Sequence, residues 1–369
     1  MIDPNFIEKM KHWWEETEIG MEEINKMHTL QLILKDLKGK IKKCNREEFG
    51  NIQKEQEMLQ ITMKRIQQKI IDKWRSEELT EEEGLLLNTL EERRKQEEIL
   101  WKQKSGIQWL KEGERNMKFF HKETLQHRHQ NIIFSLKYNQ GNRIIQRSEM
   151  ENLMVQHFKE ILTEPNIGRE VDIERFSQHI PKLVTRDQNL ALLRIIKKEE
   201  VEEAIKKMAK NKAPGPDGFI AEFYQATSNF MSQDIVNAIE ESQSTKRMHP
   251  TLNATLLDLI PKTENSKEPQ GFRPIVLYNV IYKIIATIMV NRLKPILPKL
   301  ISQEQTGFFK GRQIIDGIVV AQEAIHSLKN SKTKGMLIKL DLVKAYDRLS
   351  WGYLKQILKA YSFEDRCVN

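Results

Sequence analysis

The residues best suited to take part in a chemical reaction lie near the C-terminal end, in the run Leu340-Asp341-Leu342-Val343-Lys344-Ala345-Tyr346-Asp347. Apolar residues precede Asp341, so we expect a strand over Met336 to Leu342 that places a carboxylate at its end. A carboxylate in this position can hold Mg²⁺ against the phosphates of a nucleotide. Tyr346 follows five residues later, where its ring can wall off the nucleotide sugar. The pattern predicts a metal site for nucleotide chemistry.

A partner for Asp341 is missing from the sequence. The 369 residues contain no Asp-Asp pair, whereas two-metal nucleotidyl transfer needs enough carboxylates to balance both ions. We therefore expect the chain alone to be inactive.

The composition indicates a globular, helix-rich and basic chain. Of 369 residues, 39% are hydrophobic and 30% are charged, and the formal net charge is +8. This length has room for two or three domains, and the positive balance favours polyanionic partners. The two cysteines, Cys44 and Cys367, lie far apart, which favours a reduced intracellular compartment.

No segment predicts secretion or a membrane span. The N-terminus lacks the basic and apolar regions of a signal peptide. The most apolar stretch, Ile275 to Val290, contains Asn279 and Lys283 and is too short to span a bilayer. We interpret it as a core helix, and we expect an intracellular protein of the nucleus or cytoplasm that has no membrane partner.

The first hundred residues predict long polar helices. One apolar stripe recurs at helical spacing from Leu30 to Cys44 and stops at Phe49-Gly50-Asn51, and a second runs from Ile52 to Trp74. Thr80-Glu81-Glu82-Glu83 fits a capping box that starts a third helix. We predict a helical hairpin or short coiled coil, whose charged faces are most simply solvated surface.

Residues 101–147 carry almost the whole net charge, because ten Lys or Arg against three Glu give +7 of the +8. Aromatic residues are interleaved with these cations, a pattern that suits phosphates and unpaired bases. A basic helix with a buried aromatic face explains the pattern equally well. The histidines of this basic window have no cysteine or carboxylate cluster beside them, so we expect no zinc site. The candidate nucleic-acid contacts are Lys104, Trp109, Arg115, Lys118 and Arg128.

Helices and short strands alternate after residue 200. Val201 to Met208 predicts an amphipathic helix, stopped by Asn211-Lys212-Ala213-Pro214-Gly215-Pro216-Asp217-Gly218, whose prolines and glycines impose a fixed turn. A structural loop is the default interpretation, and Lys212 also allows a phosphate contact. Leu256 to Pro261 is a short apolar run, and Gly271 to Val276 predicts a turn that enters a strand. Further helices are expected at Ile281 to Leu297, at Ile314 to Lys329, and with one apolar face formed by Trp351, Leu354, Ile357, Leu358 and Tyr361.

Together these segments resemble the reverse transcriptase of plant LINE-type non-LTR retrotransposons over nearly the whole chain. Upstream, Trp101 to Ser105 and Trp109 to Asn116 resemble the family's segment before the fingers, with Glu114 where the family usually has Asp. The strongest blocks, in order, are Lys212-Ala213-Pro214-Gly215-Pro216-Asp217-Gly218, Leu259-Ile260-Pro261-Lys262 with Phe272-Arg273-Pro274-Ile275, Asn279-Val280-Ile281-Tyr282-Lys283-Ile284-Ile285, Asn291-Arg292-Leu293-Lys294, and Asp341 to Asp347.

The resemblance implies roles for single residues at the reacting end. Asp341 would be the first metal-binding carboxylate, and the carbonyl of Leu342 would help to hold the second Mg²⁺. Tyr346 would exclude a ribose 2′-hydroxyl. Lys262 and Arg273 would grip the nucleotide triphosphate, where fixed cations oppose the developing charge.

The resemblance also implies the partners and the architecture. RNA template and DNA primer are the expected partners, and Lys310 and Arg312 lie in the block associated with the template. The implied fold is α+β and helix-rich: right-hand polymerase fingers and a partial palm, preceded by a long helical region. The expected segments are a helical hairpin over 1–100, a basic N-terminal extension over 101–190, the fingers over 191–330, and the first strand and helix of the palm over 331–369.

Two other functions remain open. A non-catalytic RNA-binding remnant would use the basic window without chemistry. A helical protein-interaction scaffold would use the N-terminal stripes, although a scaffold does not explain the blocks from Lys212 onward.

Overall fold

A computed structural model describes residues 4–17, 25–50, 52–73, 76–106, 117–138, 141–163, 170–263, 266–307, 309, 311–331, 334–338, 340, 347 and 349–368. The described residues form sixteen α-helices and two antiparallel two-stranded sheets, which confirms the helix-rich α+β prediction. The chain divides into two compact units: Met1–Ile145 with Ile205–Tyr282, and Gln146–Ala204 with Lys283–Asn369.

The N-terminal helices of the first unit follow the apolar stripes of the sequence. A π-helical turn, Asn45–Phe49, follows the second helix, and Gly50 ends it with a φ of 56°, in the range that favours glycine. The third helix packs against the fourth and the fourth against the fifth, so the long helices expected here form, and the assignment of residues 1–100 as one helical hairpin region stays a prediction. The helices are α1 (Pro4–Glu15), α2 (Lys26–Cys44), α3 (Ile52–Lys73), α4 (Glu77–Ser105) and α5 (Met117–Asn131).

The predicted start of α4 at Thr80 is wrong. The helix begins at Glu77, and the hydroxyl of Ser76 accepts a hydrogen bond from the backbone N–H of Leu79 at 3.3 Å. The Thr80 hydroxyl instead donates to the Ser76 carbonyl at 3.1 Å, inside the first turn. Ser76 is an equally good capping residue, and two glutamates follow it in the first turn, where the helix dipole favours negative charge.

The core of the first unit forms between α2 and the long helix α10 (Ala221–Thr245). Leu30 and Leu37 of α2 and Met231 and Ile235 of α10 are among its fully buried side chains. Polar contacts fix the same packing, since the backbone N–H of Met27 donates to Glu241 at 2.8 Å. The N-terminal helices and the segment after residue 204 therefore share one core.

Two hairpins complete this unit. Strands β1 (Leu136–Tyr138) and β2 (Asn142–Ile144) form the shorter one, and β3 (Thr255–Pro261) and β4 (Phe272–Tyr278) form the longer one. The short helix α11 (Pro250–Asn253) leads into β3. The turn entering a strand that was expected at Gly271 to Val276 is confirmed, and the short apolar run at Leu256 to Pro261 forms its partner strand. The core helix expected over Ile275 to Val290 is wrong for its first residues, which belong to β4, because cross-strand hydrogen bonds to β3 hold them extended.

The second unit is helical in its described residues. Its small core contains Val184, Ile296, Leu300 and Phe363. The backbone N–H of Val184 donates to the Tyr361 carbonyl at 3.0 Å, which joins distant segments of the chain. The remaining helices of the chain are α6 (Arg147–Leu162), α7 (Glu170–Ser177), α8 (Arg186–Leu192), α9 (Lys198–Lys207), α12 (Val280–Leu293), α13 (Leu297–Leu300), α14 (Ile314–Asn330), α15 (Trp351–Ala360) and α16 (Asp365–Val368).

Two expectations for this unit need correction. The helix expected to reach Leu297 ends at Leu293, because the Pro295 ring disfavours helical backbone at the residue before it. Trp351 is 67% exposed, whereas Leu354 and Leu358 are half-buried. As the first residue of α15 it lies outside the packed face.

The strand expected over Met336 to Leu342 does not form in its described part. Residues 334–338 and 340 have no regular secondary structure, and Met336 and Leu340 are 81% and 85% exposed. A strand needs a hydrogen-bonded neighbour, and within the described ranges no segment pairs with this one. Asp341 and Leu342, at the end of the expected strand, lie outside the described residues.

Candidate nucleotide and nucleic-acid site

The β3–β4 hairpin carries the two cations predicted to bind a triphosphate. Arg273 pairs with Ile260 across the antiparallel ladder, and Lys262 lies two residues beyond Ile260. Directly opposed residues, and residues two apart on one strand, point to the same face of a sheet. The register therefore places Lys262 and Arg273 on one face.

This face of the hairpin is open to solvent. Lys262 and Arg273 are both exposed. The backbone N–H of Lys262 donates to the Gly271 carbonyl and its ammonium to the Gln270 carbonyl, each at 2.8 Å, so the tip of the hairpin holds the lysine in place. No described acidic side chain lies within 4 Å of the Arg273 guanidinium. The next cross-strand pair on this face, two residues along each strand, is Asp258 with Ile275.

The turn from Asn211 to Gly218 is anchored by Asn279 at the end of β4. The Asn279 amide oxygen accepts the backbone N–H of Asp217 at 3.1 Å. Its amide nitrogen donates to the carbonyls of Thr251 at 2.9 Å and Leu252 at 3.2 Å. Asn279 is 1% exposed, so these three bonds hold the turn, α11 and β4 together without competition from water.

Gly215 makes this anchor possible. A β-carbon on Gly215 would lie 2.5 Å from both the backbone nitrogen and the side-chain oxygen of Asn279. These distances are far below van der Waals contact, so only glycine allows the approach. The fixed turn predicted from the sequence is confirmed, and Lys212, the predicted phosphate contact, is exposed at its start.

Lys38 of α2 holds the same turn from the N-terminal side. Its ammonium donates to the Asp217 carbonyl at 2.5 Å. Tyr224, at the start of α10, is fully buried, and burial, followed by the negative charge of Asp217, raises the pKa of its phenol well above the ordinary value. The ring is therefore neutral and packs as a structural side chain.

In the second unit, Arg292 of the Asn291-Arg292-Leu293-Lys294 block has a structural position. Its guanidinium donates to both carboxylate oxygens of Glu200, at 2.9 and 2.8 Å, and to the carbonyls of Leu192, Arg194 and Ile195. The hydrogen bond from Arg292 holds the pKa of the Glu200 carboxyl below its usual range. Both side chains border a cavity of about 320 Å³. With these bonds formed, Arg292 fixes α12 to the segment from α8 to α9.

Arg312, a predicted template contact, is also bound within its own unit. Its guanidinium donates to the carbonyls of Ser302 at 2.6 Å, Gln305 at 2.7 Å and Ile301 at 3.3 Å, and it lies 4.5 Å from the centre of the Phe309 ring. These bonds order the loop between α13 and α14. The neighbouring candidate Lys310 lies outside the described residues.

The basic window presents its cations on α4 and α5. The Lys104 ammonium lies 4.8 Å from the centre of the Trp101 ring, and that ring meets His121 edge-on at 4.5 Å. Lys104 is exposed on α4, and Lys118 and Arg128 are exposed on α5. The two other candidates, Trp109 and Arg115, lie outside the described residues.

The metal site predicted at Asp341 and Leu342 lies outside the described residues, as does Tyr346. A carboxylate and a carbonyl oxygen are the hard donors that Mg²⁺ prefers, so the chemistry of the pair fits the ion. Within the described ranges, no three His, Cys, Asp or Glu side chains are grouped to share a metal. None of the described helices combines the length and apolar character needed to cross a bilayer.

Sequence reasoning missed Asn279, Lys38 and Arg292 as structural anchors. Asn279 had a usable signal, because an asparagine between Tyr278 and Val280, at the junction of a strand and a helix, must satisfy its amide if buried. Lys38 had none, since its contact joins residues 179 positions apart.

Comparison with known proteins finds similarity from the end of β3 onward. Residues 260–368 match the family model for reverse transcriptase (RNA-dependent DNA polymerase). The chain is 29% identical over 170 residues to the transposon TX1 uncharacterized 149 kDa protein of Xenopus laevis, covering 46% of this chain and 13% of that protein. It is 23% identical over 216 residues to the Pol polyprotein of the type-2 retrotransposable element R2DM of Drosophila melanogaster, covering 57% and 18%.

A third relative is the probable RNA-directed DNA polymerase from transposon BS of Drosophila melanogaster, 24% identical over 195 residues, with 51% of this chain and 21% of that protein covered. The matched part of the chain thus spans about one eighth to one fifth of these relatives. Residues 260–368 are thus similar to reverse transcriptases, and the chain is similar over about half its length to proteins of transposable elements.

Proposed function

We propose that this chain supplies the fingers and the first part of the palm of an RNA-directed DNA polymerase from a LINE-type non-LTR retrotransposon, of the plant type by its sequence blocks. RNA template and DNA primer are the proposed partners, in the nucleus or cytoplasm. The segment 191–330 would be the fingers, 331–369 the start of the palm, and 101–190 a basic extension. The observation that most supports this proposal is the pairing of β3 with β4, which puts Lys262 and Arg273 on one solvent-exposed face of the hairpin.

The proposed reaction is attack of a primer 3′-hydroxyl on the α-phosphate of a nucleotide, with pyrophosphate as the leaving group. Lys262 and Arg273 would bind the β- and γ-phosphates, because fixed cations stabilise the negative charge that grows on the leaving group. Asp341 and the Leu342 carbonyl would hold Mg²⁺, which when bound neutralises phosphate charge and positions the reactants. Tyr346 would close off the sugar by its volume.

The first test uses a fusion of this chain to the downstream palm and thumb of a close relative. Replacing Lys262 or Arg273 with Ala should lower kcat/KM for deoxynucleotides about 10- to 100-fold each, since a hydrogen bond to a charged group contributes about 1.5–3 kcal/mol. Primer extension on an RNA template measures the effect. Lys267→Ala, an exposed lysine in the loop of the same hairpin, is the control and should retain parental kinetics. Equal losses in all three variants would contradict the assignment.

A non-catalytic RNA-binding protein is the second candidate, and the exposed cations Lys104, Lys118 and Arg128 of α4 and α5 favour it. Replacing Lys104, Arg115, Lys118 and Arg128 together with Ala should flatten the salt dependence of RNA binding by the 369-residue chain. Each neutralised phosphate contributes about 0.7 to the slope of log K against log salt on single strands, so four lost contacts should reduce it by about 2–3. Filter binding over a salt series measures the slope. An unchanged slope would place the RNA surface elsewhere.

A further inference from the structure

Helix α2 has a solvent-exposed basic stripe on the face opposite its core contacts. Lys35, Gly39 and Lys42 of α2 and Arg46 of the π-helical turn that follows it are exposed. They recur every three or four residues, which places them on one side of the helix. Lys43, next to Lys42, is also exposed and is counted with the stripe. These cations lie outside the basic window at residues 101–147.

The cations of the stripe are not used within the fold. Asp36 is the one acidic residue of α2, and it pairs with Lys40 at 3.2 Å, away from the stripe. Among the described residues, Lys35, Lys42, Lys43 and Arg46 have no acidic partner within 4 Å. Favourable interaction with the helix dipole explains Lys42 and Lys43 in the last turn, but Lys35 lies two turns earlier.

Two features of the backbone suit an extended ligand. Nothing lies within 4 Å of the position that a β-carbon on Gly39 would take, so packing does not require glycine there, although glycine in a helix costs about 1 kcal/mol relative to alanine. Its absent side chain lets a ligand approach the helix backbone between Lys35 and Lys42. The stripe then ends in an open concavity of about 640 Å³ that Lys42, Arg46 and Gly50 help to line.

We propose that this face of α2, named here the α2 stripe (Lys35, Gly39, Lys42, Lys43 and Arg46), binds the phosphate backbone of a single-stranded nucleic acid. The twelve residues from Lys35 to Arg46 extend about 16 Å along the helix, which matches four to five phosphates of a stacked strand at about 3.4 Å per nucleotide. A membrane surface fits less well, because such helices insert an apolar face, and none of the large exposed apolar side chains of the described chain lies in α2. The proposal does not depend on polymerase activity.

The test is fluorescence anisotropy of a labelled oligouridylate with the 369-residue chain, over a series of KCl concentrations. Changing Lys35, Lys42, Lys43 and Arg46 together to Gln should weaken binding about tenfold or more and reduce the log–log salt slope by about 2–3. The control changes Lys54, Lys64, Arg65 and Lys69 of α3 to Gln. It removes an equal number of charges, also from three lysines and one arginine, in the same unit. The control should retain most of the slope.

Two variants of Gly39 separate an effect of charge on RNA binding from an effect on folding. Gly39→Glu places a carboxylate between Lys35 and Lys42 without a steric clash, and both Glu and Gln form helix more readily than Gly. We expect Gly39→Glu to weaken RNA binding severalfold, Gly39→Gln to retain it, and both to melt no lower than the parent. The proposal is overturned if the α2 and α3 quadruple variants lose affinity equally, if Gly39→Glu binds like the parent, or if the α2 variant loses binding to phosphatidylserine vesicles and keeps binding to RNA.

Discussion

Primer extension should disappear when Asp341 is replaced with Asn in a fusion of this chain to the downstream palm and thumb of a close relative. An amide has nearly the shape of the carboxylate but no charge to balance a divalent ion. Because metal charge stabilisation contributes several kcal/mol, we expect a loss of at least about 10³-fold in rate. Single-turnover extension of a DNA primer on an RNA template measures it directly.

Tyr346→Ala in the same fusion is the matched contrast, since it alters the same block five residues away. We expect this variant to keep polymerising and to admit ribonucleotides, because the ring acts through its volume. The unfused 369-residue chain should extend no primer, since it encodes no Asp-Asp pair to complete the charge balance. Near-parental activity of the Asp341→Asn fusion, or synthesis by the unfused chain, would refute the assignment of Asp341.

A valine at position 215 should be among the most destabilising single changes in the first unit. Its β-carbon would collide with the backbone and side chain of Asn279 at 2.5 Å, so either the turn or the end of β4 must move. Overpacking costs about 1–3 kcal/mol, and each buried hydrogen bond lost from Asn279 adds about 1–3 kcal/mol. We expect a total loss of about 3–5 kcal/mol, with a broader and less cooperative thermal transition.

Gly84→Val is the matched control for this change, because nothing lies within 4 Å of its β-carbon position and valine is at least as good a helix former as glycine. Circular dichroism during thermal and urea unfolding measures both variants. A Gly215→Val melt that coincides with the parent would show that the turn yields easily and that Asn279 does not anchor it.

The elements that the sequence predicted well are those whose determinants are local. Helical periodicity identified α2, α3 and α9, and the proline and glycine spacing of residues 211–218 identified the turn. The start of α4 was wrong because two capping residues, Ser76 and Thr80, compete within one turn. Local pattern cannot rank two such residues when both suit the position.

The features that the sequence could not predict depend on distant partners. Lys38 and Arg292 became anchors because carbonyl groups far along the chain converge on them, and no periodicity encodes such a meeting. Arg312 shows why the role of a site residue could not be predicted. The sequence block around it is compatible with a guanidinium that binds a template and with one that binds carbonyls of its own loop, as observed. The strand expected at Met336 to Leu342 also needs a partner strand, and the local pattern of apolar side chains does not show whether one is available.

The shared core of α2 and α10 has a consequence for how the protein is made. About 177 residues separate Cys44, at the end of α2, from Ala221, at the start of α10. At about 5–20 residues per second, a ribosome needs about 10–35 seconds to synthesise that interval. During this time Leu30 and Leu37, which are buried in the finished fold, lack α10 to cover them. Helix α2 therefore leaves the ribosome well before the helix that covers it, and we expect its apolar stripe to need shielding, as by a chaperone, until α10 has emerged.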